Sequence, residues 1–155
     1  MNEEHIAKIT LDEGSIKHRS MEIEHERNVA VTDLLHDNLF NPTCLQCGPY
    51  NLHLSIEEGR LMFDIQSTVA DKQTRFPLAL KSLRGIIRDY FMICDSYYEA
   101  LKVSGAGRLE AIDMGRRGIH NEGAEMLQEL LNGRITVNIP TARRLFTLIC
   151  VLHIK

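Results

Sequence analysis

Leu52-His53-Leu54-Ser55-Ile56-Glu57-Glu58-Gly59-Arg60-Leu61-Met62-Phe63-Asp64-Ile65 alternates apolar and polar residues on both sides of Glu58-Gly59. A period of two puts every second side chain on one face of a strand. A two-residue turn at Glu58-Gly59 sets Glu57 opposite Arg60, Ile56 opposite Leu61, Leu54 opposite Phe63 and Leu52 opposite Ile65. All the apolar pairs then share one face, and Glu57 meets Arg60 on the other. Glycine suits the second turn position because it accepts a positive φ. Residues 51–57 and 60–66 are therefore expected to pair as an antiparallel hairpin.

Outward from this hairpin, Phe76, Leu78 and Leu80 alternate again. Pro77 has no N–H to give a ladder, so this third strand belongs at an edge or starts late. Ala7, Ile9 and Leu11 offer a weaker alternation, read as a further edge strand, before the turn residues Asp12-Glu13-Gly14-Ser15. The expectation is an α+β fold: a small antiparallel sheet of three to four strands covered by helices on one face, with a buried C-terminal helix.

The helices follow from the 3.6-residue period. Ser20 is placed to cap a helix running to about Asn38, with Ile23, Ala30, Val31, Leu34 and Leu35 as its apolar positions. Asn41-Pro42 stops it. Ser82 opens the next helix, where Leu83, Ile86, Ile87, Tyr90, Phe91, Cys94, Tyr97, Tyr98 and Leu101 recur at helical spacing. Met92 and Ile93 widen that stripe, which predicts a central helix packed on more than one side, with Phe91 deep in the core. Ser104-Gly105-Ala106-Gly107 ends it.

Residues 108–131 are helical at both ends, through Leu109 and Ile112 and then Met126, Leu127, Leu130 and Leu131. Gly115, Gly118 and Gly123 fall between, each costing roughly 1 kcal/mol in a helix interior. They predict a break near Gly118. Ile135 and Val137 form a short strand. Asn138 or Thr141 starts the last helix, which is apolar nearly all round from Leu145 to Leu152.

The 155 residues fit a single domain over 1–155. A net charge of −3 gives no global bias toward nucleic acid. Locally the first 28 residues are acidic, whereas Arg108, Arg116, Arg117, Arg134, Arg143, Arg144 and Lys155 make the last third basic. The acidic start Met1-Asn2-Glu3-Glu4 is not that of a secretory signal. Leu145–Leu152 is too short to span a membrane, which takes about 20 residues. A cytoplasmic protein with no membrane association is expected. Cys94 and Cys150 sit in apolar helical patterns and read as reduced core residues.

Four groups of residues carry enough chemistry to weigh. Arg116, Arg117, His120, Asn121 and Glu122 lie within seven residues of one another. At helical spacing Arg116 shares a face with His120, and Arg117 with Asn121. Helix N–H groups freed at Gly118 would join the arginines in an anion site; the alternative is a structural ion-pair network. Arg143 and Arg144 occupy the first turn of a helix, where cations oppose the dipole unless an acid such as Asp95 or Asp113, or a bound anion, relieves them. Glu24, His25, Glu26, Arg27 and Asn28 read mainly as a solvated helix start. Cys44-x-x-Cys47 is half of a zinc site with no second pair following. No metal is assigned to it, and nothing in the chain calls for a cofactor. Walker, dinucleotide, nucleophile-elbow and H-E-x-x-H motifs are absent.

Some of these stretches resemble a known family. His25-Glu26-Arg27-Asn28, Arg88-Asp89-Tyr90-Phe91-Met92-Ile93-Cys94, Ala111 to Gly123 and Thr141 to His153 are similar to small alphaproteobacterial proteins of uncharacterised protein family 0262. The resemblance covers nearly the whole chain and implies no activity; Cys44-x-x-Cys47 is not part of the family pattern. The Arg-then-His arrangement also resembles the helical HEPN ribonucleases. Their motif usually has four to six intervening residues against three here, and the expected sheet does not suit that fold.

The leading functional expectation is a non-enzymatic binding or regulatory protein. Its site would be Arg116, Arg117, His120, Asn121 and Glu122, with Arg143 and Arg144. Its ligand would be an anion, a phosphorylated metabolite or an acidic protein surface. With no tryptophan and no aromatic platform, the residues argue against nucleic acid. The alternative is a metal-independent hydrolase or nuclease, with His120 and Glu122 as acid and base and Arg116 and Arg117 stabilising a phosphoryl transition state.

Overall fold

A computed structural model describes residues 3–16, 20–103 and 105–152, leaving the side chains of Ser15 and Ala106 aside. Met1, Asn2, Ser104, His153 and Lys155, which enter the sequence reading, lie outside the described residues. The elements in order are β1 (Ile6–Leu11), α1 (Met21–His36), β2 (Phe40–Pro42), β3 (Tyr50–Glu57), β4 (Arg60–Ser67), β5 (Gln73–Ala79), α2 (Arg84–Val103), α3 (Ala106–Leu131), β6 (Ile135–Val137) and α4 (Ile139–Leu152).

The hairpin has the expected register throughout: Glu57 faces Arg60, Ile56 faces Leu61, Leu54 faces Phe63 and Leu52 faces Ile65. Glu58 and Gly59 both take positive φ, 54° and 75°, as a turn matching the strand twist requires. Strand β5 lies at one edge with Pro77 in it. Phe76 there stacks on Phe63 at 5.3 Å between ring centres.

The other edge is β1, and it runs parallel to β3 rather than antiparallel. Parallel neighbours need a long crossover, and α1 supplies it. The four-stranded sheet is thus mixed, ordered β1-β3-β4-β5. Its outer face carries Lys8, Thr10, Asn51, His53, Asp64, Gln66, Gln73 and Arg75 around a hollow of about 420 Å³. The inner face contributes Leu52, Leu54, Leu61, Phe63 and Ile65 to a core shared with the helices.

A second, two-stranded sheet pairs β2 with β6, Phe40 against Val137. The sequence places Asn41-Pro42 only as a helix stop. In the structure Pro42 ends a three-residue strand, and the amide of Leu39 donates to Thr141 Oγ1 at 2.9 Å. Helix α1 begins as expected, with Ser20 Oγ accepting from the Ile23 amide at 3.1 Å. It ends at His36, and Asn38 turns back to donate to the carbonyls of Leu34 and Ile6.

The last helix is buried as the sequence indicates, but α2, the helix expected to pack on more than one side, does not. Helix α2 buries one face, through Ile86, Ile87, Tyr90, Cys94 and Ala100, while Met92 is 63% exposed and Leu101 50% exposed. Phe91 is only partly buried; the fully buried aromatic is its neighbour Tyr90. The central helix is α4, buried continuously from Leu145 to Leu152. It packs on α3, α1 and β3, so no side is left for water.

Helix α3 is continuous from Ala106 to Leu131, without the expected break. The three glycines have separate reasons to be there. A Cβ at Gly123 would lie 2.6 Å from the Phe146 ring, so this glycine lets α3 and α4 approach closely. A Cβ at Gly115 would make ordinary contact with Ile93 at 3.5 Å, and one at Gly118 would meet nothing. Gly118→Ala is accordingly expected to stabilise the protein by about 0.5–1 kcal/mol, the helix-propensity difference. A urea midpoint that falls on this substitution would contradict a continuous α3. Among the described residues no helix is long and apolar enough to cross a membrane.

Candidate functional site

The polar centre of the molecule forms where α1, α2 and α3 meet, around Glu26. This residue is 7% exposed and lies on the same stripe of α1 as the buried Ala30 and Leu34. A carboxylate there needs donors, and three converge on it. Tyr98 Oη donates at 2.6 Å, Arg116 Nη1 at 2.9 Å and Tyr90 Oη at 3.2 Å. Arg116 also lies over the Tyr97 ring, 4.5 Å from its centre. Burial opposes the charge on Arg116, but Glu26 beside it more than compensates and raises its pKa. Burial also raises the Tyr90 and Tyr98 hydroxyls well above the ordinary tyrosine value, and Glu26 adds to the shift in each. Both remain protonated donors.

His120 lies one turn along α3 from Arg116 and stacks on Tyr90, 5.2 Å between ring centres. Burial, and then the Arg116 guanidinium, push its pKa down to about 4, and Arg143 lowers it further while Glu26 and Asp113 oppose them. It is neutral at pH 7, and its buried Nε2 has no hydrogen-bond partner. Arg143, from α4, donates through Nη2 to Asn121 Oδ1 at 2.8 Å, while its buried Nε has no partner. Cys94 is buried close by, and desolvation pushes its thiol up to about 11, which keeps it protonated.

The structure therefore gathers Arg116, His120, Asn121 and Arg143. Arg117 is not with them: its side chain is 66% exposed and pairs with Asp113 at 3.3 Å. Glu122 is exposed. Two residues from His120 on a helix, it faces away from it, so it is not placed to orient the imidazole. Arg144 follows Arg143 at the partly buried start of α4. Asp95, expected among the neutralising acids, is exposed; the acid that balances Arg116 is Glu26. Sequence reasoning placed Glu26 in a solvated helix start. The available signal was its position, three residues after Ile23 and four before Ala30, inside the apolar stripe. His25 is exposed, as is Cys44, and Cys47 is half-buried. Among the described residues no three His, Cys, Asp or Glu side chains gather as a metal ion would need.

A neutral, half-buried His120 has a consequence for stability. Its folded pKa of about 4 lies below the unfolded value of 6.5. The unfolded chain therefore binds the proton first, and stability falls as pH drops from about 6.5 toward 4. Allowing for partial exposure, the expected loss attributable to His120 is about 2 kcal/mol. His120→Gln should flatten this part of the pH–stability curve in urea titrations, and an unchanged slope would refute the assignment.

These features define an α+β protein with a tyrosine-lined Glu–Arg pair and an adjoining Arg–Asn–His cluster. The chain belongs to the Uncharacterised protein family (UPF0262), whose family model matches residues 3–155. It is 53% identical over 150 residues to the UPF0262 protein of Paramagnetospirillum magneticum, covering 97% of this chain and 96% of that one. It is 52% identical to that of Nitrobacter winogradskyi, covering 97% and 90%. Over 159 residues it is 48% identical to that of Erythrobacter litoralis, covering 100% and 99%. No solved structure matches the chain.

Proposed function

We propose that this protein is a non-enzymatic binding protein of the cytoplasm that takes an anionic group at Arg143, with Asn121 and His120 beside it. One observation carries the reading: among the described residues, Arg143 is a partly buried cation without a carboxylate partner and with an unused buried Nε. Its neighbours do not cancel it. Arg116 is balanced by Glu26, Arg117 pairs with Asp113, and His120 is neutral at pH 7. The charge on Arg143 is therefore left over, and an anion would relieve the cost of burying it. Four free cysteines, two of them buried, support a reducing compartment.

A ligand that binds only the folded state raises its stability, by about 2.7 kcal/mol at one hundred times Kd. Anions titrated at constant ionic strength should therefore raise Tm in a saturable way. Arg143→Gln should abolish the shift while the unliganded protein still melts cooperatively. Melting curves unmoved by a broad anion panel, or a shift that survives Arg143→Gln, would reject the reading. The hydrolase alternative has less support, because His120 lacks the orienting carboxylate that general-base chemistry would require of Glu122.

A further inference from the structure

We infer that Asn132 is a site of spontaneous covalent modification, losing ammonia through a succinimide to give aspartate and isoaspartate. It is the one asparagine of the chain followed by glycine. Glycine has no side chain to shield its amide nitrogen from the preceding carboxamide. The pair lies where α3 ends, and both residues are exposed. Asn132 at φ −54°, ψ 132° and Gly133 at φ 93° form the centre of a type II turn, closed by the Arg134 amide donating to the Leu131 carbonyl at 2.9 Å. Other asparagines have committed side chains: Asn38 holds the Ile6 amide, Asn121 holds Arg143 and Asn138 caps α4. The Asn132 carboxamide and the Gly133 N–H have no hydrogen-bond partner among the described residues. Nucleophile and electrophile are therefore adjacent, solvated and unbound.

The step balances with solvent alone. The Gly133 nitrogen, its proton lost to hydroxide, attacks Asn132 Cγ; the Cγ–Nδ2 bond breaks, and ammonia leaves with a proton from water. Water then opens the ring, at Cγ to give aspartate or at the backbone carbonyl carbon to give isoaspartate. Attack requires Asn132 ψ to swing away from 132° until the Gly133 nitrogen reaches Cγ, and that swing opens the turn. Thr43 resists it. Its amide donates to the Arg134 carbonyl at 3.0 Å, and its hydroxyl lies 3.3 Å from the Gly133 and Arg134 carbonyl oxygens. The rate is thus set by how often this turn opens locally.

The products are not neutral for the fold. Either one leaves a carboxylate at the C-terminal end of α3, where the helix dipole opposes it. Asn132 shares a hollow of about 490 Å³ with Glu125 and Glu129, two exposed acids with no ion pair among the described residues. Isoaspartate also adds a backbone carbon between residues 132 and 133, in the turn that leads α3 into β6. The modification therefore loosens the β2–β6 pairing that Thr43 anchors.

The test is incubation of the folded full chain at pH 7.5 and pH 8.5, followed by peptide mapping and enzymatic methylation of isoaspartate. The peptide containing Asn132 should gain the mass of an NH2-to-OH exchange before any other asparagine peptide, and faster at the higher pH. Its isoaspartate form should take up methyl groups, and the aged protein should melt below the fresh one. Asn132→Gln should abolish the label, because the larger ring closes more slowly. Thr43→Val should raise the rate about fivefold, the factor for one ordinary hydrogen bond. Modification confined to urea-unfolded protein, earlier loss of ammonia at another asparagine, or a rate unmoved by Thr43→Val would overturn the inference.

Discussion

Glu26→Ala is expected to destabilise the protein by about 3–5 kcal/mol, the range for breaking one side of a buried ion pair. The loss is not the value of the pair itself. Removing the carboxylate strands the Arg116 guanidinium, whose side chain is only 20% exposed, and takes away the acceptor of two tyrosine hydroxyls. Unpaired buried donors carry their full desolvation cost. Glu26→Gln keeps the shape and one acceptor oxygen and should cost less. The informative comparison is Glu26→Met combined with Arg116→Met. If charge stranding dominates, the double variant should be clearly more stable than the sum of the two single losses predicts. Urea denaturation of the four proteins closes that cycle. A Glu26→Ala loss below 1 kcal/mol would mean that the carboxylate does not balance Arg116.

Gly123→Val is the second large effect, expected to cost about 3 kcal/mol or more, the upper part of the overpacking range. Even a single Cβ would sit 2.6–2.7 Å from three atoms of the Phe146 ring. Phe146 is fully buried, so its ring has nowhere to swing, and helices α3 and α4 would have to separate. Phe146→Leu should recover part of the loss in the double variant, because a smaller side chain admits the added carbons. Without such recovery, the cost would have to be assigned to the β-branched residue itself.

These two positions also show where the sequence was not legible. The hairpin was readable to the residue because period-two alternation and a turn glycine specify one register, and any slip reverses every side chain. The cap at Ser20 and the burial of Leu145–Leu152 were readable for similar local reasons. Gly123 was not. A glycine in a helix looks the same whether it breaks the helix or admits a neighbour, and only the Phe146 ring decides between them. Glu26 was hidden among Glu22 and Glu24, where acids favour a helix start anyway; its real partners lie in α2 and α3. Phe40-Asn41-Pro42 is too short to show alternation, so its pairing with Ile135–Val137 could not be read. The Arg116–His120 part of the site was visible as helical spacing. Arg143 was grouped with Asn121 on charge alone; their hydrogen bond depends on how α4 returns along α3.

Strand β2 and helix α1 also have a timing problem during synthesis. The amide of Leu39 meets Thr141 across 102 residues, and Glu26 meets Arg116 across 90. At about 5–20 residues per second, a ribosome needs some five to twenty seconds to deliver roughly one hundred residues. Over that interval Ala30, Leu34 and Phe40 have emerged, but the α4 surface that covers α1 has not. The β3–β4 and β4–β5 pairings join near neighbours in sequence and can form while the chain is still tethered. The amino-terminal third must wait for the final helix, and until then its apolar side chains are open to chaperones and to other nascent chains.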